Sequence, residues 1–588
     1  MKRIIIITAI VTFNFSILSG QLTGAGTSAS PYTGTISTNL TWYPDSYPER
    51  TIYAYNITVA SGVTLTISPG VYYGGKVVFS PYSPLRTLSI NSGATVIINP
   101  NIGVSVYGIV NNGNLVLESY PNESGVASLM HDVYSGSGIT QVKLYLSGGT
   151  AAGGAYKWHY VAMPIANISA SSFNTLNLVQ YIENLVTEAN NYPGWVAYVG
   201  YQYSSGNILA YTFNTLSLGK GYNYFSSAGQ QFTFTGIVNT YEFSEEISLT
   251  CGSGYPDYQG YNLLGNPFAS CLSWDYMVAN GYTGAASDAI YFTNNGTIAS
   301  YVNGIGANGG TGDIPPMQGF FVKTNSNTSL VIPRAARVHK NDQLRYKKST
   351  DMFDRTSDTI SYVRVKMRNL NDSTDLVVRL NNKATAGVDK VFDAYELSKT
   401  SGDINIWTST AGVDYSINGL PFPETNLEIP IGVNSNTSGT YMLLANEIKK
   451  LEDFSVMIKD TFTGRIIDLK KGESLEFASS PGLYENRFVL IIVKSTTGVR
   501  DIKNSEDRFS IFKSRDALNI RYDGDEAYSI KGQVSIYDVT GRLLQMNSDL
   551  EWSGKGDLRQ IYFNSGSSGI YLVELKTTGG NLVYKLII

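Results

Sequence analysis

The sequence predicts a mainly β chain in several domains. Three observations carry this. Short runs alternate apolar and polar residues and are cut by Gly, Asn and Ser, the period of half-buried strands. Gly (58) and Tyr (42) are abundant while charged residues make up only 15 %, against about 25 % in an ordinary domain. Tyr suits a pleated, partly wet surface. A chain of 588 residues is also too long for one core. The formal net charge of −4 argues against a nucleic-acid partner, which needs a basic surface.

Residues 1–20 read as a secretory signal peptide. Lys2 and Arg3 form a basic start, Ile4 to Val11 an apolar core, and Ser19 and Gly20 a small-residue cleavage site before Gln21. The apolar run is far shorter than the ~20 residues a bilayer span needs. The junction has no Cys to carry a lipid anchor, and nothing after the signal peptide is apolar enough to span a membrane.

Residues 21–120 predict a short right-handed β-helix or β-solenoid. Ile57, Val59, Val63, Leu65 and Ile67 alternate around Gly62. Leu88, Ile90, Val96 and Ile98 repeat the plan around Gly93, and Ile109, Leu115 and Leu117 do so around Gly113. One such coil cannot bury its own apolar face, so neighbours must stack. The alternative is a β-sandwich of three hairpins. Secreted β-helices raise the prospect of a polysaccharide lyase or glycosidase, whose chemistry needs carboxylates. Between Thr51 and Leu117 there is no Asp or Glu, so these repeats cannot supply it.

Residues 121–345 predict a β-rich domain with one or two short helices. Leu176, Val179, Ile182, Leu185 and Val186 have helical spacing over Asn174–Asn191, and Trp274–Asn280 suggests a second helix. Cys251 and Cys271 are the only cysteines. In an exported chain such a pair invites a disulfide, worth about 3 kcal/mol in the chain-entropy model. The alternative is two buried thiols. Gly304, Gly306 and Gly309 match a dinucleotide fingerprint in form, but Pro315 and Pro316 follow instead of a helix. Without a helix N-terminus nothing there holds a pyrophosphate, and the segment reads as a loop.

Asn341–Ser357 is a polar linker, and residues 346–497 predict a second β-sandwich-like domain. Ser361–Met367 and Asp375–Leu380 alternate cleanly. Asn371, Asp372 and Asp375 lack the spaced ligands and closing Glu of a Ca²⁺ loop and read as a solvated turn. The three histidines, His131, His159 and His339, have no metal-ligand spacing. No Gly-x-Ser-x-Gly elbow is present, though a triad is defined in space rather than in sequence. The sequence therefore suggests no enzyme, no cofactor and no metal. Tyr192–Tyr203 and Tyr222–Phe225 offer rings that could stack on sugars, or simply pack in strands.

Ser495–Glu506 is a linker into a last all-β domain, residues 507–588. Val534, Ile536 and Asp538 lie in an alternating strand that breaks at Thr540-Gly541-Arg542. Gly569–Leu575 alternates again, and Leu582–Ile588 ends the chain. The pattern set by Val534, Ile536, Tyr537, Asp538, Gly541, Arg542, Gly569, Tyr571, Leu572 and Lys585 resembles the C-terminal sorting domain of the Bacteroidetes type IX secretion system. The resemblance implies an Ig-like β-sandwich that addresses its cargo to an outer-membrane translocon and is removed on export. Asn56–Gly70 resembles repeats of surface proteins from the same phylum. Tyr261–Pro267, Ile314–Lys323 and Ile332–His339 resemble a module of large sorted proteins. Asp358-Thr359-Ile360 and Asp372-Ser373-Thr374 resemble the phylum's short O-glycosylation sequon. Together these imply a secreted or outer-membrane-surface protein, structural or adhesive, whose partners are the translocon and glycans or host and environmental surfaces.

Overall fold

The fold is that of a computed structural model. It describes residues 22–70, 75–80, 84–121, 125–149, 156–173, 177–185, 194–197, 213–240, 243–252, 258–294, 297–339, 360–397, 404–494, 509–514, 517–522, 529–563, 570–577 and 580–587. The expected signal peptide, both expected linkers, most of Tyr192–Tyr203 and Gly569 lie outside them. The chain is nearly all β and divides into two compact units, 1–494 and 495–588.

From Tyr32 to Leu146 successive passes of the chain pair in parallel. Thr51–Val59 pairs through its first half with Gly75–Phe79 and through its second with Thr87–Ile90. Gly75–Phe79 leads on to Ile102–Ser105 and then Ser128–Met130. Thr87–Ile90 leads on to Gly108–Asn111 and then Val133–Ser135. A third ladder joins Leu40–Trp42, Thr64–Ile67, Thr95–Ile98, Asn114–Leu117 and Ile139–Leu146. Leu65, Val96 and Leu115 are therefore register partners, all buried. Alternation along each strand sends one side chain in and the next out. Side chains also brace one pass against the next. Asn39 Oδ1 accepts from the Thr64 amide at 2.8 Å, and Asn56 Oδ1 from the Thr87 amide at 3.0 Å. Gln230–Thr235 pairs antiparallel with Ile139–Leu146 and extends the third ladder.

The helix expected over Asn174–Asn191 is absent from its described residues, 177–185. Among its described residues, Leu178–Tyr181 is a strand and Glu183–Leu185 a 3₁₀ turn. The strand lies between Tyr222–Ser226 and Trp195–Ala197. Its four residues are all buried, so backbone pairing on two sides outweighs a helical spacing of apolar residues. The second helix runs Trp274–Ala279, capped by Ser273 Oγ accepting from the Tyr276 amide at 3.3 Å. Ser361–Lys494 contributes an 11-stranded sheet. It rolls up, because Phe477 and Phe488, on strands far apart in its order, meet at 4.7 Å.

The disulfide expected between Cys251 and Cys271 is also absent; the two thiols are not joined. Cys271 is buried and opens a strand paired with Arg337–Val338. Cys251 follows Phe243–Leu249, which pairs with Thr328–Ile332, and its amide donates to Asn327 Oδ1. Cys271 lies within a strand and Cys251 beyond the end of another, and spacing in sequence does not fix the Cα separation a bridge needs. Burial, then the Glu183 carboxylate, push the Cys251 thiol pKa up, which weakens it as a nucleophile. Denatured, unreduced protein is expected to titrate two thiols. A count of zero would restore the bridge.

Candidate functional site

The C-terminal unit contains two sheets. Phe509–Ser514, Ala517–Tyr522 and Leu558–Tyr562 form one. Leu543–Trp552, Ile530–Asp538, Ile570–Thr577 and Gly580–Ile587 form the other, in that order. Leu518, Ile520 and Tyr522 of the first share a buried core with Val534, Ile536, Trp552, Tyr571, Val573 and Leu575 of the second. Burying each large apolar side chain is worth about 1.5–3 kcal/mol. Trp552 binds the two sheets most directly. Its Nε1 donates to the Ile520 carbonyl at 3.0 Å, and its ring meets Phe509 edge-on at 5.0 Å.

The residues singled out in the sequence fall into three groups. Val534, Ile536 and Tyr571 point into this core. Asp538, Gly541 and Arg542 build the turn between two strands. Asp538 Oδ1 accepts from the Thr540 hydroxyl at 2.6 Å, the Thr540 amide at 2.9 Å and the Arg542 amide at 3.1 Å. Its Oδ2 accepts from Arg542 Nε at 3.0 Å. The Thr540 hydroxyl chiefly, with these other donors, holds the Asp538 carboxyl below the usual range. Gly541 sits at φ +84, where a side chain would be strained. The third group, Tyr537 and Leu572, alternates away from the core. Tyr537 Oη donates to Glu574 Oε2 at 3.0 Å, and Lys585 is the register partner of Leu572. Trp552 was missed from sequence: a lone Trp carries no periodic signal.

In the N-terminal unit, Ile332–His339 has a plain structural task. Arg337 donates to the His131 carbonyl at 2.6 Å and to Asp132 Oδ1 at 2.7 Å. The His339 ring lies between Ser105 Oγ, 2.8 Å from Nε2, and Ser128 Oγ, 2.7 Å from Nδ1. A neutral imidazole has one donor and one acceptor, which two rotatable hydroxyls can match. Gly103 permits the approach, since a Cβ there would lie 2.7 Å from the ring. The segment thus ties later sequence to the parallel ladders. His159 Nε2 lies 2.7 Å from the Ser147 carbonyl. The described residues contain no group of three or more His, Cys, Asp or Glu placed to hold a metal ion.

Other polar groups of this unit are structural too. Glu183, buried, accepts from the Gly252 and Gly260 amides at 3.0 Å. Asn266 Nδ2 donates to the Ser270, Ile314 and Pro315 carbonyls. Gly304 lies in the turn of a hairpin between Thr297–Val302 and Ile305–Ala307, Gly306 is within its second strand and Gly309 follows it. Tyr156, Trp158 and Phe225 form a small aromatic cluster, with Phe225 5.4 Å from Tyr156 and 4.5 Å from Trp158. Tyr156 and Trp158 are exposed.

Residues 514–588 match the family described as the secretion system C-terminal sorting domain. Residues 280–492 match a domain of unknown function, DUF8693. No curated protein matches. Among solved structures, that of chicken CNTN1 FN1-FN3 domains is similar at 8 % identity, over 39 % of this chain and 88 % of that one. Its TM-score of 0.11 carries no argument. The sorting domain supports a cargo protein of the type IX secretion system, sent to the cell surface or extracellular space. No helix among the described residues is long and apolar enough to cross a membrane.

Proposed function

We propose that this chain is a non-enzymatic surface or secreted protein, structural or adhesive, delivered through the type IX translocon and either held at the outer membrane or released. The observation that carries the delivery is the match of residues 514–588 to a sorting domain. The non-enzymatic part is supported by where polar groups are used. His339, Arg337, Glu183 and Asn266 each make tie-down hydrogen bonds within the fold. The repeats from Thr51 to Leu117 contain no carboxylate.

A second reading, carbohydrate binding, is favoured by the exposed rings of Tyr156 and Trp158 beside Phe225. Such rings present flat apolar area with a polar edge. A glycan array with Trp158→Ala as control separates it from the first.

Export is tested by removing residues 514–588 and locating the protein by fractionation. Retention in the periplasm, with the 1–494 unit still folded, is the expected result. Appearance of the truncated protein outside the cell would sink the sorting reading.

A further inference from the structure

The sorting-domain residues that the core does not use lie in one line. Tyr537 pairs directly with Leu543 on one side and Leu572 on the other, and Leu572 pairs with Lys585. Directly opposed residues share a face of a sheet, so these four positions form a single row across all four strands. The next row on that face is Met546, Ser535, Glu574 and Val583. Ile570, two residues before Leu572, belongs to the same face. It is the face turned away from Val534, Ile536, Tyr571 and Val573, which fill the core.

Four apolar side chains of this outer face stand in solvent, around the half-buried Tyr537 and Leu572. Leu543 is 49 % exposed, Met546 56 %, Ile570 39 % and Val583 37 %. A half-solvated antiparallel sheet ordinarily turns polar side chains outward. Glu574, the one carboxylate among the described side chains of the two rows, is bridged by Tyr537 at 3.0 Å and by Lys576 at 3.2 Å. The charge is therefore partly paid off within the face. Contiguous exposed apolar surface marks an interaction site.

We propose that this face, centred on Tyr537 and Leu572 and flanked by Leu543, Met546, Ile570 and Val583, is the surface by which the domain docks on an apolar, largely uncharged surface of the secretion machinery. The proposal rests on the sorting reading. The family relation and the placement of its residues favour that occupant. The family match requires a recognition partner. Tyr537, Leu572 and Lys585, residues through which the chain resembles the family, hold three of the four positions in one row, where the core gives Tyr537 and Leu572 no task.

The test uses the full chain in its secreting cell. Leu543→Ser with Leu572→Ser is compared with Tyr562→Ser, an exposed residue of the other sheet, and with deletion of 514–588. The double variant is expected to lower the exported fraction at least tenfold, with the purified chain keeping its thermal transitions. Tyr562→Ser should export normally. Should the double variant misfold, Met546→Lys on the exposed edge strand decides in its place. Normal export of a folded face variant, while the deletion is retained, overturns the docking face and leaves the sorting reading standing. Export of the deletion itself overturns the sorting reading instead. If the face variant exports normally but loses self-association that the unaltered chain shows on gel filtration, the occupant is a second copy and the proposal fails.

Discussion

Replacing Trp552 by Ala is expected to unfold the C-terminal unit and leave the N-terminal unit folded. Trp552 is fully buried, and its neighbours Phe509 and Ile520 stand on the opposing sheet. Removing a core Trp costs about 3–5 kcal/mol, and its hydrogen bond to the Ile520 carbonyl about 1 kcal/mol more. A domain of roughly 80 residues has about 4–12 kcal/mol in total. The loss, about 4–6 kcal/mol, matches the lower part of that range. The two units have separate cores, so the damage should stop at the linker. Limited proteolysis is the measurement. Cleavage confined to residues beyond 495 is expected, and a C-terminal unit that resists protease as before would show that Trp552 does not join the sheets.

Acid is expected to destabilise the N-terminal unit from about pH 6.5 downward. His339 is buried, and desolvation, then the charges of Lys76 and Arg337, push its pKa down to about 3. His131 is pushed down to about 3 as well, by desolvation and Arg337, with Asp132 opposing. In the unfolded chain both would titrate near 6.5. Between those values the unfolded state takes up protons that the folded state refuses, so stability is complete above pH 6.5 and falls as pH falls. The slope is about 1.4 kcal/mol per pH unit for each ring. Asp393 works the other way. Burial raises its pKa to about 6, so between about 6 and 3.8 the folded state holds a proton the unfolded state lacks. That offsets about one histidine, leaving a net loss of about 1.4 kcal/mol per unit in that window. Urea midpoints at pH 7 and pH 4.5 measure it. His339→Gln should flatten the dependence, and an unchanged slope in that variant would mean that His339 is protonated in the fold.

Much of this architecture was legible because strands with one buried face write their period into the sequence. Leu65 and Ile67, Leu88 and Ile90, and Val96 and Ile98 alternate as expected, each buried beside a half-exposed neighbour. The C-terminal strands were legible for the same reason. Leu178–Tyr181 was not, because it is buried on both faces. Such a strand loses its alternation and cannot be told from helix by period alone. The cysteines failed differently: a count and a spacing carry no Cβ direction. At the candidate site, alternation separates Ile536 from Tyr537 and Tyr571 from Leu572, but it does not say which set faces water. Nor does it bring Tyr537, Leu572 and Lys585 into one row, which depends on register between strands. The roles of Arg337 and His339 were hidden too, since their partners lie some two hundred residues earlier.

That last separation bears on the order in which the molecule assembles. The brace from Asn39 to Thr64 spans 25 residues and that from Asn56 to Thr87 spans 31, while His339 reaches Ser105 across 234. Closing a long loop costs more chain entropy and takes longer than closing a short one. The parallel ladders can therefore zip up from nearby sequence, pass by pass, before the segment bearing His339 docks. Refolding followed by pulse-labelled hydrogen exchange should protect the amides of Thr64 and Thr87 earlier than that of Val338. Simultaneous protection would mean that the nucleus already contains the distant tie. A chain threaded N-terminus first would gain the tie from His339 only after the parallel ladders had formed, which makes that tie a late checkpoint on the N-terminal unit.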